Sequence, residues 1–329
     1  MQSLQTIFPA LAVVFGLIFT GVFVRRIGWM NASADRTMIQ LTVRLLFPCL
    51  VIDRLTGADW LHDASDLLVP STVGFALTAI GFMVAWIVAT LFAKPLALDT
   101  ANKRRTFVLC AGMFNYGYIP IPLVGELFAD DPTMMPTLLI HNVGVDIAMW
   151  TLGIVIISGG FSRQTWKGIF NPVVISIIVA LVLKLIEPIF IAQPIPGMHA
   201  VLAPGARVIQ LLGECAIPMS LLLTGATIAD VWQDADLHKA LGTSVGGVVV
   251  RLMILPLIFL GLAYVSPVSD ALAKVMVIQA AMPAAIFPIV LAKHYGGDAP
   301  TAVRVVIVTQ IIGVITIPMW LAIGLPLVK

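Results

Sequence analysis

Charged side chains are scarce in this sequence. Asp, Glu, Lys and Arg make up 11% of its 329 residues, whereas a soluble chain carries roughly 25%. With 60% hydrophobic residues and a mean hydropathy of +1.03, a water-soluble globule is excluded and an integral membrane protein is implied. The net charge is only +2, so no nucleic-acid partner is indicated. Cysteine is nearly absent as well. Cys49, Cys110 and Cys215 all lie in apolar runs, with no spacing that suits zinc or a disulfide framework, and read as small buried hydrophobes. Nucleophile–base pairs and an HExxH-type metal motif are also lacking, and His141 stands alone, so neither an enzyme nor a cofactor is expected. No channel selectivity motif is present. The N-terminal MQSLQTIFPA has no basic residue before its apolar run, and Arg25-Arg26 follow it, so the run reads as a retained span rather than a cleaved signal.

Apolar windows of about 20 residues, long enough for membrane helices, recur between short polar breaks. They fall near residues 4–24, 36–56, 67–93, 105–127, 133–158, 172–187, 204–228, 241–265, 270–293 and 300–328. The Pro-rich segment Glu187–Gly205 is expected to form an external turn or a short re-entrant piece. Basic residues gather in the odd-numbered loops: Arg25, Arg26 and Arg36; Lys94, Lys103, Arg104 and Arg105; Arg163 and Lys167; Lys239; Lys293. The even loops are poorer in them, with Asp59, Asp63 and Asp66 in the second and Glu126, Asp130 and Asp131 in the fourth. By the positive-inside rule the odd loops are cytoplasmic and both termini lie outside, on the periplasmic side of an inner (plasma) membrane.

The chain echoes itself. VLCAGMFNYGYIPIP from Val108 falls on VIQAAMPAAIFPIVL from Val277, 169 positions on, and Pro48 precedes Leu55–Ala58 (LTGA) as Pro218 precedes Leu223–Ala226 (LTGA). This predicts two five-helix repeats, residues 1–159 and 160–329, the second inverted because five is odd. The fourth and ninth spans are then matched, and both are interrupted by proline. Irregular backbone at membrane depth is tolerated only where protein or a watery cavity encloses it, so the interruptions read as a binding site. Half-helix N-termini there favour an anion, Gly117 allows close backbone approach, and Asn115 is a hydrogen-bonding candidate.

These residues also carry a resemblance. AMPAAIFPIVLAKHYG at Ala281–Gly296 resembles the ALPxGIxPFVFAKEY stretch of the auxin efflux carrier family. Thr316-Ile317-Pro318, AGMFNYGYIPIPLVG and the FPCLV around Pro48 are similar to other segments of it. The long loop of the plant carriers between spans five and six is missing, as in compact bacterial members such as malonate and malate permeases. The resemblance implies an all-α membrane fold of ten transmembrane helices in two inverted repeats, like the bile-acid symporters, with helices 4 and 9 crossing at their breaks. It implies a homodimer with helices 1, 2, 6 and 7 as scaffold and helices 3–5 and 8–10 as a moving transport unit. Substrate would sit among Asn115, Tyr116, Gly117, Tyr118, Pro120, Pro122, Met282, Pro283, Ala284, Ile286, Phe287 and Pro288. Only Asn115 stands where the plant carriers have several Asn, and Ala284 replaces a Gln, so indole-acetate does not transfer as the substrate.

Ionisable and amide groups within spans are further candidates. Arg44 either serves an anion or snorkels to the interface. Asn142 and Asp146 share a helix face; Asp146 either carries a coupling proton or cation, or joins hydrogen bonds that hold the bundle together. Gln279 and Gln310 are weaker counterparts, Arg207 and Glu214 are expected to pair with other spans, and Arg251 has no evident partner. The function expected is secondary transport of a small organic anion, such as a carboxylate, by an elevator mechanism, coupled to a proton, Na⁺ or the membrane potential. The alternative is a Na⁺-coupled symporter of the bile-acid type for an amphipathic anion.

Overall fold

A computed structural model describes residues 4–57, 64–160, 172–192, 198–234 and 241–328. Arg163, Lys167, Lys239, Asp59 and Asp63, used above for orientation, lie outside them. The described chain is helical throughout, and its one β feature is a single bridge. The elements are α1 (Leu4–Arg26), α2 (Ala32–Leu41), α3 (Phe47–Thr56), α4 (Ala64–Leu91), α5 (Ala101–Gly112), α6 (Pro120–Leu127), α7 (Met134–Ala148) and α8 (Ile154–Ser158). They continue with α9 (Pro172–Ala192), α10 (Met198–Glu214), α11 (Ala216–Asp234), α12 (Leu241–Val248), α13 (Leu255–Val265), α14 (Asp270–Ala281), α15 (Phe287–His294) and α16 (Ala299–Gly324). Among the described residues, five stretches are long and apolar enough to cross a membrane: Ser65–Leu91, Met134–Ser158, Leu202–Asp230, Leu241–Val265 and Ala299–Leu327.

Of the segment Glu187–Gly205, expected as an external turn or a short re-entrant piece, the first six residues end α9 and Met198 onward begins α10, while residues 193–197 lie outside the described ones. One expectation is corrected. Cys49 and Cys110 are buried, but Cys215, in the junction between α10 and α11, is exposed. An apolar run in a membrane helix faces outward as well as inward, so hydropathy alone does not bury a residue.

Among the described residues, three π-helical turns interrupt longer helices, at Thr42–Leu46, Met149–Gly153 and Val249–Ile254. Proline accounts for two of them. Pro48 and Pro256 have no N–H, and their rings crowd the carbonyl four residues back. Widening the preceding turn relieves that clash. The carbonyl that Pro256 leaves without its helical partner, that of Leu252, accepts instead from Trp320 Nε1 at 2.9 Å.

The most extensive packing falls into two groups. In one, α1 lies along α11, and α9 and α10 lie along α3. In the other, α4 packs on α5 and α7, α14 on α13 and α16, and α16 on α5 and α12. Small residues bring backbones together in each: Gly225 of α11 abuts the Ile18 carbonyl of α1, and Gly144 of α7 abuts the Ser71 carbonyl of α4.

Candidate functional site at the paired helix breaks

Helix α5 stops at Gly112, and α6 does not start until Pro120. Helix α14 stops at Ala281, and α15 starts at Phe287. The two breaks are each other's hydrogen-bond partners. Asn115 N–H donates to the Pro283 carbonyl at 2.8 Å and Ala285 N–H donates to the Met113 carbonyl at 3.0 Å, so that Phe114 and Ala284 form one antiparallel bridge. Backbone left bare at this depth costs several kcal/mol per group, and here each break satisfies the other. Side chains complete the pairing: Gln310 Nε2 donates to the Ala284 carbonyl at 3.0 Å, and Ala284 N–H donates to Thr309 Oγ1 at 3.3 Å.

The prolines play a different part from the one their spacing suggests. Pro120 and Pro288 sit in the first turns of α6 and α15, where a missing N–H has no helical partner to lose. Ile119 and Ile286, just before the two helices, have helical angles. Of the prolines near the breaks, only Pro283 lies inside one, and Met282 before it is extended, as pre-proline sterics require.

A cavity of about 180 Å³ opens beside the bridge. Asn115, Tyr116, Gly117 and Tyr118 of the first break line it, as do Ala285, Ile286 and Phe287 at the second. Ile121, in the first turn of α6, also reaches it, so two helix N-termini meet at this space. From α7 and the π-turn after it come Leu139, Asn142, Val143, Asp146, Met149 and Trp150. Val43, Phe47 and Val51 close another side, and Ile177 of α9 a third. Aromatic contacts stiffen the wall: Trp150 meets Phe287 edge-on at 5.7 Å, and Phe47 lies 6.2 Å from Tyr118. Among the described residues, no Lys, Arg or His lines the cavity.

Its polar groups form a connected set. Tyr116 Oη donates to Asp146 at 2.7 Å, Asn142 Nδ2 donates to the Tyr116 carbonyl at 2.8 Å, and Gln279 Nε2 donates to Asn142 Oδ1 at 3.0 Å. Asn115 Oδ1 accepts from Tyr118 N–H at 3.1 Å, which closes the turn leading into α6. Asn115 Nδ2, buried at the cavity wall, has no hydrogen-bond partner among the described residues.

A family model described as membrane transport protein matches residues 6–164 and 160–321. The chain belongs to that family. It is the family of the auxin efflux carriers, as the motifs at Ala281–Gly296 and Ala111–Gly125 indicate. An uncharacterized transporter of Methanothermobacter thermautotrophicus is 24% identical over 324 residues, covering 97% of this chain and 98% of that one. Membership and the apolar helices together make this a multi-pass membrane protein of a transporter family.

In this membrane transport protein the expected site residues divide. Asn115, Tyr116, Gly117, Tyr118, Ile286 and Phe287 line the cavity, together with Asn142 and Asp146. Pro120, Pro122, Met282, Pro283, Ala284 and Pro288 do not line it; they shape the breaks and the helix starts behind it. Gln279 and Gln310 are buried and hold the breaks from outside the cavity. Arg44 is exposed and away from the wall. Among the described residues Arg207 and Glu214 form no hydrogen bond or ion pair with another span: Gln210 links them along the exposed side of α10, at 2.8 and 3.1 Å. Residues missed in the sequence carry a partial signal. Met149 and Trp150 continue the stripe of Asn142 and Asp146 at helical spacing, and Val43, Phe47 and Val51 repeat every four residues. Ile177 carries none, because only the packing of α9 brings it there.

Proposed function

We propose that this protein is a secondary transporter of a small organic anion and that the cavity beside the Phe114–Ala284 bridge receives it. The observation that carries this reading is Asn115 Nδ2, a buried amide donor at the cavity wall with no partner among the described residues. Buried donors are almost always satisfied, and a carboxylate oxygen would satisfy this one. The N-termini of α6 and α15, both ending at the cavity, add partial positive charge. The volume and the mostly apolar wall favour a monocarboxylate with a compact apolar body over malonate or malate. A cavity of roughly 150 Å³ holds a benzene ring, so benzoate is the right scale.

Asp146 faces the same space, held by Tyr116. In this reading it takes up the coupling cation, a proton or Na⁺, that offsets its repulsion of the substrate. The chain would form ten spans in two inverted repeats, residues 1–159 and 160–329, with both termini outside. Helices 1, 2, 6 and 7 would be the scaffold and helices 3–5 and 8–10 the elevator-like transport unit, with a homodimer joined through the scaffold. The two packing groups described above, and the matched breaks that pair with each other, support that division.

Proteoliposome uptake tests the reading. Labelled benzoate should enter saturably, with a rate that depends on an imposed proton or Na⁺ gradient. Asp146→Asn should keep gradient-independent exchange and lose the response to the gradient. Absence of carboxylate uptake across a panel of mono- and dicarboxylates, in protein shown to be folded, would contradict it.

A further inference from the structure

Among the described residues the cavity wall holds a carboxylate and no basic side chain, which leaves anion preference without a charged source in the described wall. A buried charge lies at the paired breaks instead. Arg251 is completely buried, on the π-helical turn Val249–Ile254. Its guanidinium carbon lies 5.5 Å from the Phe114 ring centre and 5.4 Å from that of Phe259, and those two rings pack edge to face at 5.9 Å. Its hydrogen bonding is sparse. Nη2 donates to the Ala280 carbonyl at 3.4 Å, while Nε and Nη1 have no partner among the described residues. No Asp or Glu of the described residues is within ion-pair distance of it.

That position is particular. Ala280 belongs to the last turn of α14, where the helix breaks and its carbonyls lose their partners. Phe114 is the bridge residue next to Asn115. One cation therefore touches the end of one half-helix and the bridge residue of the other break. The internal echo of 169 positions sets Phe82 where Arg251 stands, and Phe82 packs at Gly112, the end of α5. One half fills this place with a ring and the other with a charge.

We propose that Arg251 is the specificity-determining residue of the site, biasing the cavity toward anions from behind the paired breaks without touching the substrate. A buried guanidinium exposed to neither water nor a counter-ion keeps its field at short range, because little screens it. The cavity lined by Asn115, the neighbour of Phe114, feels that field, and the Asp146 carboxylate in the wall is offset by it. Arg suits the place better than Lys because its planar, weakly hydrated group stacks on rings and stays charged.

The inference rests on the organic-anion reading, and a pair of probes separates the two. Dissociation constants of benzoate and of neutral, near-isosteric benzamide are measured on the purified full-length protein in detergent. The wild type is expected to prefer benzoate. In Arg251→Gln, which keeps a donor for Ala280 without the charge, the benzoate-to-benzamide preference should fall about tenfold, with benzamide affinity unchanged. Arg251→Lys should restore most of the preference. Arg251→Met, whose thioether packs on both rings, supplies a second uncharged variant should the Gln protein fail to fold. A preference that survives in the uncharged variants, or an equal loss for both probes, overturns the role of Arg251 while leaving the anion reading in place. A wild type that binds benzamide as well as benzoate overturns the anion reading and this inference with it.

Discussion

Asn115 does two jobs with two atoms. Its Oδ1 accepts from Tyr118 N–H and shapes the turn into α6, while its Nδ2 has no partner among the described residues and, in the proposed function, meets the anion. Alanine would remove both, so a loss of binding in Asn115→Ala mixes folding with recognition. Aspartate separates them: it keeps the acceptor for Tyr118 and replaces the donor with a carboxylate oxygen that repels an anion. Asn115→Asp is expected to melt within a few degrees of wild type and to bind benzoate at least tenfold more weakly. That is at least about 1.4 kcal/mol, close to the lower edge of what a hydrogen bond to a charged group contributes. Isothermal titration beside a melting curve reads both quantities.

At the scale of elements, the breaks and π-turns are held by partners distant in sequence. Leu252 is the clearest case: proline takes away its helical donor and Trp320 on α16 supplies another. Trp320→Phe should cost about 1–3 kcal/mol by leaving that carbonyl bare. Pro256→Ala restores an N–H to the helix, so in that background the same Trp320→Phe change should cost clearly less. Denaturation midpoints of the four proteins give the coupling; strict additivity would show that Trp320 stabilises only by packing. The same distance sets what could be read in advance. Asn115, Gly117 and the prolines announced two interrupted helices, and the stripe through Asn142 and Asp146 announced one cavity wall. That Pro120 and Pro288 start helices rather than break them, and that the first break is held open by Ala285 N–H and the Pro283 carbonyl, follows from pairing across some 170 positions. Local sterics do not encode such pairing. Arg251 was visible only as a charge with no partner, because its partners are rings on α13 and at the first break.

At the scale of the whole molecule, two packing groups meet along a thinner seam, where α16 touches α1 and α11, and where α6, which follows α5 across the first break, touches α1, α11 and α7. If one group slides on the other, a covalent tie across the seam stops transport. Gly125 of α6 lies against Ile217 of α11, with a Cβ at Gly125 falling 4.0 Å from the Ile217 Cδ1. A Gly125→Cys, Ile217→Cys protein lacking Cys49, Cys110 and Cys215 should lose benzoate uptake when a short, reducible bifunctional thiol reagent bridges the pair and regain it on reduction. Uptake that continues in fully cross-linked protein would contradict a sliding transport unit.

The central claim is that an organic anion binds at the paired breaks through Asn115, and ligand-dependent melting tests it most directly. A ligand that binds only the folded protein raises its melting temperature. Wild type and Asn115→Asp are melted with increasing benzoate at fixed pH and salt. The account predicts a concentration-dependent rise for the wild type and a strongly reduced one for a variant that melts normally without ligand. Equal rises in the two proteins would contradict it by placing the anion somewhere other than the paired breaks.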